Sequence, residues 1–233
     1  MRFKILLDVQ KIPRTYRMYL LSFIKEMIQK GDEQLYNELY DGSKKPKRFT
    51  FALYMHHFEA DGEHYHMKNA TLNFSTSDPH IGVAFINGIS QTKQFHHPQY
   101  PFTILNKQLS DETTIKQSIV RFSILSGLLL ESKEKIPLLI TDETYEDELN
   151  IVMDKQFQAL YGRPLKEPLK ILGHRLKKHI IQETNRHAGE KILYYTVQKG
   201  DITLNGHPED LQLIYQDGCG LRRSQGFGML TLK

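Results

Sequence analysis

Asp217-Gly218-Cys219-Gly220-Leu221-Arg222-Arg223-Ser224-Gln225-Gly226-Phe227-Gly228-Met229 is the stretch that decides how this 233-residue chain is read. It holds four glycines within eleven residues, with two arginines between the pairs. No Gly-Lys-Ser/Thr closes it, so it is not a Walker loop. Arg223 stands where a dinucleotide fingerprint needs its third glycine, and too few residues follow for a crossover helix. Glycine permits φ > 0 and the close approach of another backbone. Successive N–H groups in such a loop can cradle an anion, and arginine adds bidentate phosphate recognition. A simple hairpin turn needs only one or two glycines. Gly218, Gly220, Gly226, Gly228, Arg222 and Arg223 are therefore candidate anion-contacting residues at the entry to a last strand.

Working outward, the C-terminal half reads as a strand with a glycine break over Ile119 to Leu130 and a helix over Thr144 to Tyr161. Strands over Leu169 to Ile181 and Lys191 to Lys199, a short helix over Pro208 to Asp217 and a strand over Phe227 to Leu232 follow. The N-terminal half has the same order. Arg2 to Val9 reads as a partly buried strand, Met18 to Ile28 as an amphipathic helix ended by Gly31, and Gln34 to Tyr40 as a shorter helix. Phe49 to Met55 and Thr71 to Ser75 read as strands, and Asp78-Pro79 opens another helix before further strands. Strand, helix, strand, strand, helix, strand is the split βαβ order of a ferredoxin-like domain. The expected fold class is α+β: tandem ferredoxin-like (RRM-like) domains over residues 1–115 and 116–233, the second carrying the glycine-rich loop.

Hydrophobic residues make up 39% of the chain and charged residues 25%, which excludes a disordered tail, a collagen-like repeat and a coiled coil. The apolar runs fall short of the roughly 20 residues that span a bilayer. A strand-like run directly after Met1 leaves no room for a secretory signal, and the lone Cys219 cannot form an internal disulfide, so a reducing cytoplasm is expected. The net charge of +4 conceals its distribution. Acid concentrates between Asp142 and Asp154, whereas Lys44, Lys45, Lys47 and Arg48 form one basic cluster and Lys170, His174, Arg175, Lys177 and Lys178 another. Strand alternation would place Arg175 and Lys177 on one face, suited to phosphate contacts that position RNA without reading its sequence.

The paired glycines, five residues and then Gly226-Phe227-Gly228 resemble the C-terminal signature of the repeat-processing CRISPR endoribonucleases of the repeat-associated superfamily. Met1-Arg2-Phe3, Pro46-Lys47-Arg48-Phe49-Thr50-Phe51 and Phe74-Ser75-Thr76 resemble further strands of that family, so the resemblance covers essentially the whole chain. The glycine-rich loop is shared with non-cleaving relatives; the length and the N-terminal similarity favour the endoribonuclease branch. The resemblance implies a CRISPR repeat RNA ligand and metal-independent cleavage in which the ribose 2′-OH attacks the adjacent phosphate, leaving a 2′,3′-cyclic phosphate. It implies no cofactor, no metal and no membrane, and it leaves other CRISPR effector subunits and a second copy of the chain as further partners. The RNA-binding residues it implies are Lys44, Lys45, Arg48, Arg175, Lys177 and those of the loop.

Such a reaction needs a base at the 2′-OH, an acid at the leaving 5′-oxygen and a cation at the phosphorane. Lys47 matches the family's lysine by its Pro-Lys-x-Phe context. The family's usual tyrosine position aligns with about Lys25, and its usual histidine falls at about Tyr40 or Asp41, whereas the first histidine of this chain is His56. Three readings are open. Lys25, Tyr36, Tyr40 and Lys47 position the phosphate and stabilise the transition state; or a histidine from elsewhere (His56, His57, His64 or His66) completes the site; or the protein binds repeat RNA and cleaves weakly or not at all. His64 and His66 share a strand face, but no cysteine or convincing glutamate stands at metal spacing beside them. His96, His97, His174, His179 and His187 are expected on the surface or against RNA.

Overall fold

The computed structural model describes residues 1–42, 45–185 and 191–233; Lys44 and His187 lie outside them. The chain divides into two compact units. The first comprises Met1–Ser43, Ala52–Glu112 and Gln182–Leu193, and the second Lys44–Phe51, Thr113–Ile181 and Tyr194–Lys233.

The first unit contains β1 (Arg2–Asp8), β2 (Lys11–Pro13), α1 (Tyr16–Gly31), α2 (Glu33–Leu39), β3 (Phe49–His56), β4 (Glu59–Asp61), β5 (His64–His66), β6 (Asn69–Thr76), α3 (Pro79–Ser90), β7 (Gln94–Phe95) and β8 (Phe102–Ser110). The first residues of β3 belong to the second unit. The main sheet runs β3-β6-β1-β8-β7, and β2, β5 and β4 form a small second sheet. Taking β1, β3, β6 and β8 as the four principal strands, the spatial order is second, third, first, fourth, the ferredoxin-like arrangement. Period-two alternation makes β1 a half-buried strand: Phe3, Ile5 and Leu7 enter the core while Lys4 and Asp8 face out. Helix α1 buries Leu20, Phe23, Ile24, Met27 and Ile28 at helical spacing, and α3 buries Ile81, Ala84, Phe85 and Ile89. Gly31 does end α1, yet its smallness serves a second purpose. A Cβ there would lie 1.8 Å from the Ala84 carbonyl oxygen, and one at Gly88 would lie 1.9 Å from that of Met27. The two helices touch backbone to backbone, which only glycine allows.

No side chain of its own caps the start of α1. The carboxylate of Glu183 does so from far along the chain, accepting the backbone N–H groups of Arg17 and Met18 and the Arg17 guanidinium at 3.2 Å. Both side chains are buried. Burial pushes the Glu183 carboxyl up to about 7, against the opposing pull of Arg17 and the two amides.

The second unit is built from β9 (Ile119–Leu128), α4 (Tyr145–Tyr161), β10 (Lys170–His174), β11 (Lys177–Asn185), β12 (Lys191–Asn205), α5 (Pro208–Asp217) and β13 (Leu230–Leu232), except that the end of β11 and the start of β12 belong to the first unit. Its sheet runs β10-β12-β9-β13, again second, third, first, fourth, with β11 also paired to β12. Phe122, Ile124, Ile202, Leu204 and Leu230 from the strands pack against Leu149, Met153 and Phe157 of α4 and Leu211, Ile214 and Tyr215 of α5. The acidic run has a structural use. Glu146, Asp147 and Glu148 occupy the first turn of α4, where the helix dipole favours negative charge.

The expected strand over Leu169 to Ile181 is two strands. Gly200 of β12 crosses close to the chain at Arg175, the Arg175 N–H donates to the Asp201 carbonyl at 2.8 Å, and the register shifts between Ile171 and Gly173. The final strand starts later than expected because Gly226 and Gly228 hold left-handed backbone at φ +83° and +67°. Among the described residues no helix is long and apolar enough to cross a membrane.

Candidate nucleic-acid interface and cleavage site

In the first unit, Lys25, Tyr36 and Tyr40 come together. The four-residue spacing puts the two tyrosines on one side of α2, their ring centroids 5.1 Å apart, and the Tyr40 N–H closes the last turn on the Tyr36 carbonyl at 3.0 Å. The Lys25 ammonium stands 4.2 Å from the centre of the Tyr40 ring. Asp32 caps α2 by accepting the Leu35 N–H at 2.9 Å, which fixes the bend that folds α2 back towards α1. Burial, with Tyr36 beside it, pushes the Tyr40 phenol well above its ordinary range. Tyr40 therefore keeps its proton through neutral pH and is a hydrogen-bond donor or acid, not a ready base.

His56 is held by other residues. It ends β3, its Nε2 shares a hydrogen bond with Thr71 Oγ1 at 2.9 Å, and its ring packs edge-on to Tyr54. His64 and His66 both address the Asp61 carboxylate, His66 at 2.6 Å and His64 at 3.6 Å. The His66 hydrogen bond holds the Asp61 carboxyl down at about 2. No group of three His, Cys, Asp or Glu side chains among the described residues is arranged to hold a metal ion.

In the second unit, Lys47 is half-buried and Lys45 exposed. Arg48 is anchored: it donates to the Leu160 carbonyl and lies 4.8 Å from the Tyr161 ring, at the C-terminal end of α4 where the dipole favours a cation. The glycine-rich loop packs on the residues that follow. Thr50 Oγ1 donates to the Phe227 carbonyl at 2.9 Å, and a Cβ at Gly226 would meet the Phe51 ring at 2.7 Å.

The N–H groups of Gly218, Gly220, Gly226 and Gly228 donate to Ile214, Met153, Arg223 and Gly127. The four glycine N–H groups are thus taken up within the fold, and the loop's charged groups are its two arginines. These divide. Arg223 is buried, donates to the Asp217 carbonyl at 3.4 Å, and sits in the field of the buried Asp217 carboxylate. Arg222 is exposed, 4.8 Å from the Tyr195 ring, on a left-handed backbone at φ +53°. That conformation costs a non-glycine residue about 1–2 kcal/mol.

Lys170, His174, Arg175, Lys177 and Lys178 are all exposed. His174 and Arg175 line a depression of about 200 Å³ with Arg121, Gly173, Asp201 and Thr203. Asp201 organises it, receiving Lys233 at 2.5 Å, Ser123 at 2.6 Å and Arg121 at 2.9 Å, which hold its carboxyl far below the usual range. Burial, and then the charges of Lys199 and Lys177, push His179 down. Arg121, Tyr195 and Lys233 were not among the sequence candidates. Pairing of β9, β12 and β13 brings Arg121 and Lys233 to Asp201, whereas Tyr195 lies beside Arg222 and Phe227 of the loop.

Two ferredoxin-like units, the second closed by a glycine-rich loop and carrying basic strands, define a tandem ferredoxin-like protein of the repeat-associated CRISPR type. The chain belongs to the CRISPR-associated Cas6 family: the family's C-terminal model matches residues 109–232 and its N-terminal model residues 11–107. A Cas6-related protein from Pyrococcus furiosus is 20% identical, covers 100% of this chain and 98% of its own, and superposes with a TM-score of 0.83. A RAMP protein described as binding different RNA substrates is 18% identical over 100% and 99% of the two chains, with a TM-score of 0.81. A Thermus thermophilus Cas6 solved as a product complex is 13% identical over 99% and 98%, with a TM-score of 0.72. At these identities the likeness is one of fold. No curated protein sequence matches the chain.

Proposed function

We propose that this protein is an endoribonuclease that binds CRISPR repeat RNA and cuts precursor transcripts into guide RNAs. Cleavage proceeds without a metal by attack of the ribose 2′-OH, leaving a 2′,3′-cyclic phosphate. The observation that carries this reading is the match to Cas6 family models on both halves of the chain. Repeat RNA is held by Lys45, Arg175, Lys177 and Arg222, with Lys44 as a further contact from the sequence and Arg121 from the structure. Arg48, Arg223 and the four glycines give those contacts their shape.

On the first unit Lys25 supplies positive charge to the phosphorane, and the protonated Tyr40 donates to the departing 5′-oxygen or a non-bridging oxygen; Lys47 is a further catalytic cation from the sequence. Tyr36 holds Tyr40 in place. Orientation for in-line attack and charge stabilisation supply much of the rate in such a site. A second reading is favoured by one observation from the sequence: the first histidine of the chain is His56, well past the family's usual position. On that reading the protein retains repeat RNA and does not cut it. Incubating labelled repeat RNA with the protein in EDTA decides between them. Full cleavage with a cyclic-phosphate end supports the enzyme; saturable binding with no product would leave only the binder.

A further inference from the structure

At one edge of the first unit's main sheet, strand pairing sets three polar side chains in a row. Asp8 of β1 lies opposite Thr103 of β8, and Thr103 lies opposite Gln94 of β7. Their neighbours Leu7, Phe102 and Phe95 are buried, so by alternation the row stands on the sheet face away from that core. Strands are spaced about 4.8 Å apart, so the row spans roughly 10 Å. These residues line a depression of about 330 Å³ together with Lys11, Gln99 and Tyr100. That is within the size range of small-ligand sites.

The wall formed by Tyr100 is fixed. Its hydroxyl shares a hydrogen bond with His64 Nε2 at 2.9 Å, its ring stacks on His97 at 5.7 Å, and its carbonyl receives the Tyr19 hydroxyl. His97 Nδ1 in turn accepts the Gln99 and Tyr100 N–H groups, both at 3.2 Å.

We propose that this depression binds one unstacked guanine of a single-stranded RNA. A carboxylate is an acceptor only, and guanine is the base that offers two adjacent donors, N1–H and the exocyclic amine, along one edge. Thr103 and Gln94 continue the row with a hydroxyl and an amide that can serve the guanine O6. Tyr100 is the rigid aromatic face on which a base stacks. Lys11 is the cation for the nucleotide's phosphate. The carboxylate and amides of the wall can pair with a base edge, and Val9, Pro101 and Phe102 line the remainder.

The inference rests on reading the chain as an RNA-handling protein, and its test is separable from that reading. The full chain is titrated by fluorescence anisotropy against 5′-labelled UUGUU, UUAUU, UUCUU and UUUUU, with unlabelled GMP as competitor. The native chain is expected to prefer UUGUU by about tenfold, the scale of a charge-assisted pair of hydrogen bonds. Asp8→Asn should abolish that preference and leave the other three oligomers within about twofold, because it replaces half the acceptor with a donor. Gln94→Ala should weaken UUGUU by about fivefold, the scale of one neutral hydrogen bond. Equal binding of all four by the native chain, or a guanine preference that survives Asp8→Asn, would overturn the proposal. GMP competing as well as UUGUU would overturn the assignment to RNA. Repeat cleavage is measured on the same preparations. Cleavage retained without guanine preference rejects the pocket alone, and guanine preference without cleavage rejects the endonuclease alone.

Discussion

Replacing Arg222 by glycine and Arg223 by alanine, one at a time, separates the two arginines that stand side by side in the loop. Arg223 is 4% exposed and neutralises the field of Asp217, itself 0% exposed and bound by the Tyr161 hydroxyl. Removing one partner of such a buried arrangement strands the other's charge and costs about 3–5 kcal/mol. For a chain of this size each kcal/mol lowers Tm by about 2–4 °C, so Arg223→Ala should melt roughly 6–20 °C early. Arg222→Gly is the opposite case. Glycine relieves the left-handed backbone, worth about 1–2 kcal/mol, while loss of the exposed contact with Tyr195 costs about 0.5–1 kcal/mol. Tm should therefore hold or rise by a few degrees. Its effect is on RNA. One lost phosphate contact lowers the slope of log K against log salt by about 0.7 for a single strand, or about fivefold in affinity at 0.1 M salt. Thermal melting followed by circular dichroism and repeat-RNA binding at four salt concentrations read both effects. An unchanged salt slope in Arg222→Gly, or an unchanged Tm in Arg223→Ala, would refute the division.

Two further outcomes are expected. Tyr40→Phe, Lys25→Ala and Lys47→Ala should each slow single-turnover cleavage by about 10²-fold or more with repeat affinity within a few-fold, and His56→Ala should cut normally; unaltered rates in all of the first three would place the site elsewhere. Glu183 should make stability depend on pH. Its folded carboxyl, at about 7, lies above its unfolded value of about 4.5, so its protonated form stabilises the fold fully below pH 4.5. That contribution is lost as pH rises through 7, on the order of 3 kcal/mol in all. The difference in urea stability between the native chain and Glu183→Gln should fall by that order between pH 4.5 and 8, and a constant difference would show that Glu183 does not titrate there.

The tandem ferredoxin-like order was legible because the periodicities of α1, α3, α4 and α5 and the alternation of β1 and β6 are strong and local. The break between β10 and β11 was not, since it is imposed by Gly200 on a neighbouring strand. Arg222 and Arg223 look alike in sequence; a positive φ and the burial of Asp217 distinguish them. Family resemblance pointed to the positions of Lys25 and Tyr40, and only the fold shows the ammonium over the ring. The Glu183 cap of α1 and the Asp8–Thr103–Gln94 row depend on residues far apart in the chain, which no local pattern reports.

Attack by the ribose 2′-OH is tested most directly by mapping the cleaved linkage and then supplying repeat RNA with a single 2′-deoxy residue at that ribose. The expected result is unchanged binding with cleavage at that linkage abolished. Continued cleavage there at a comparable rate would contradict the mechanism.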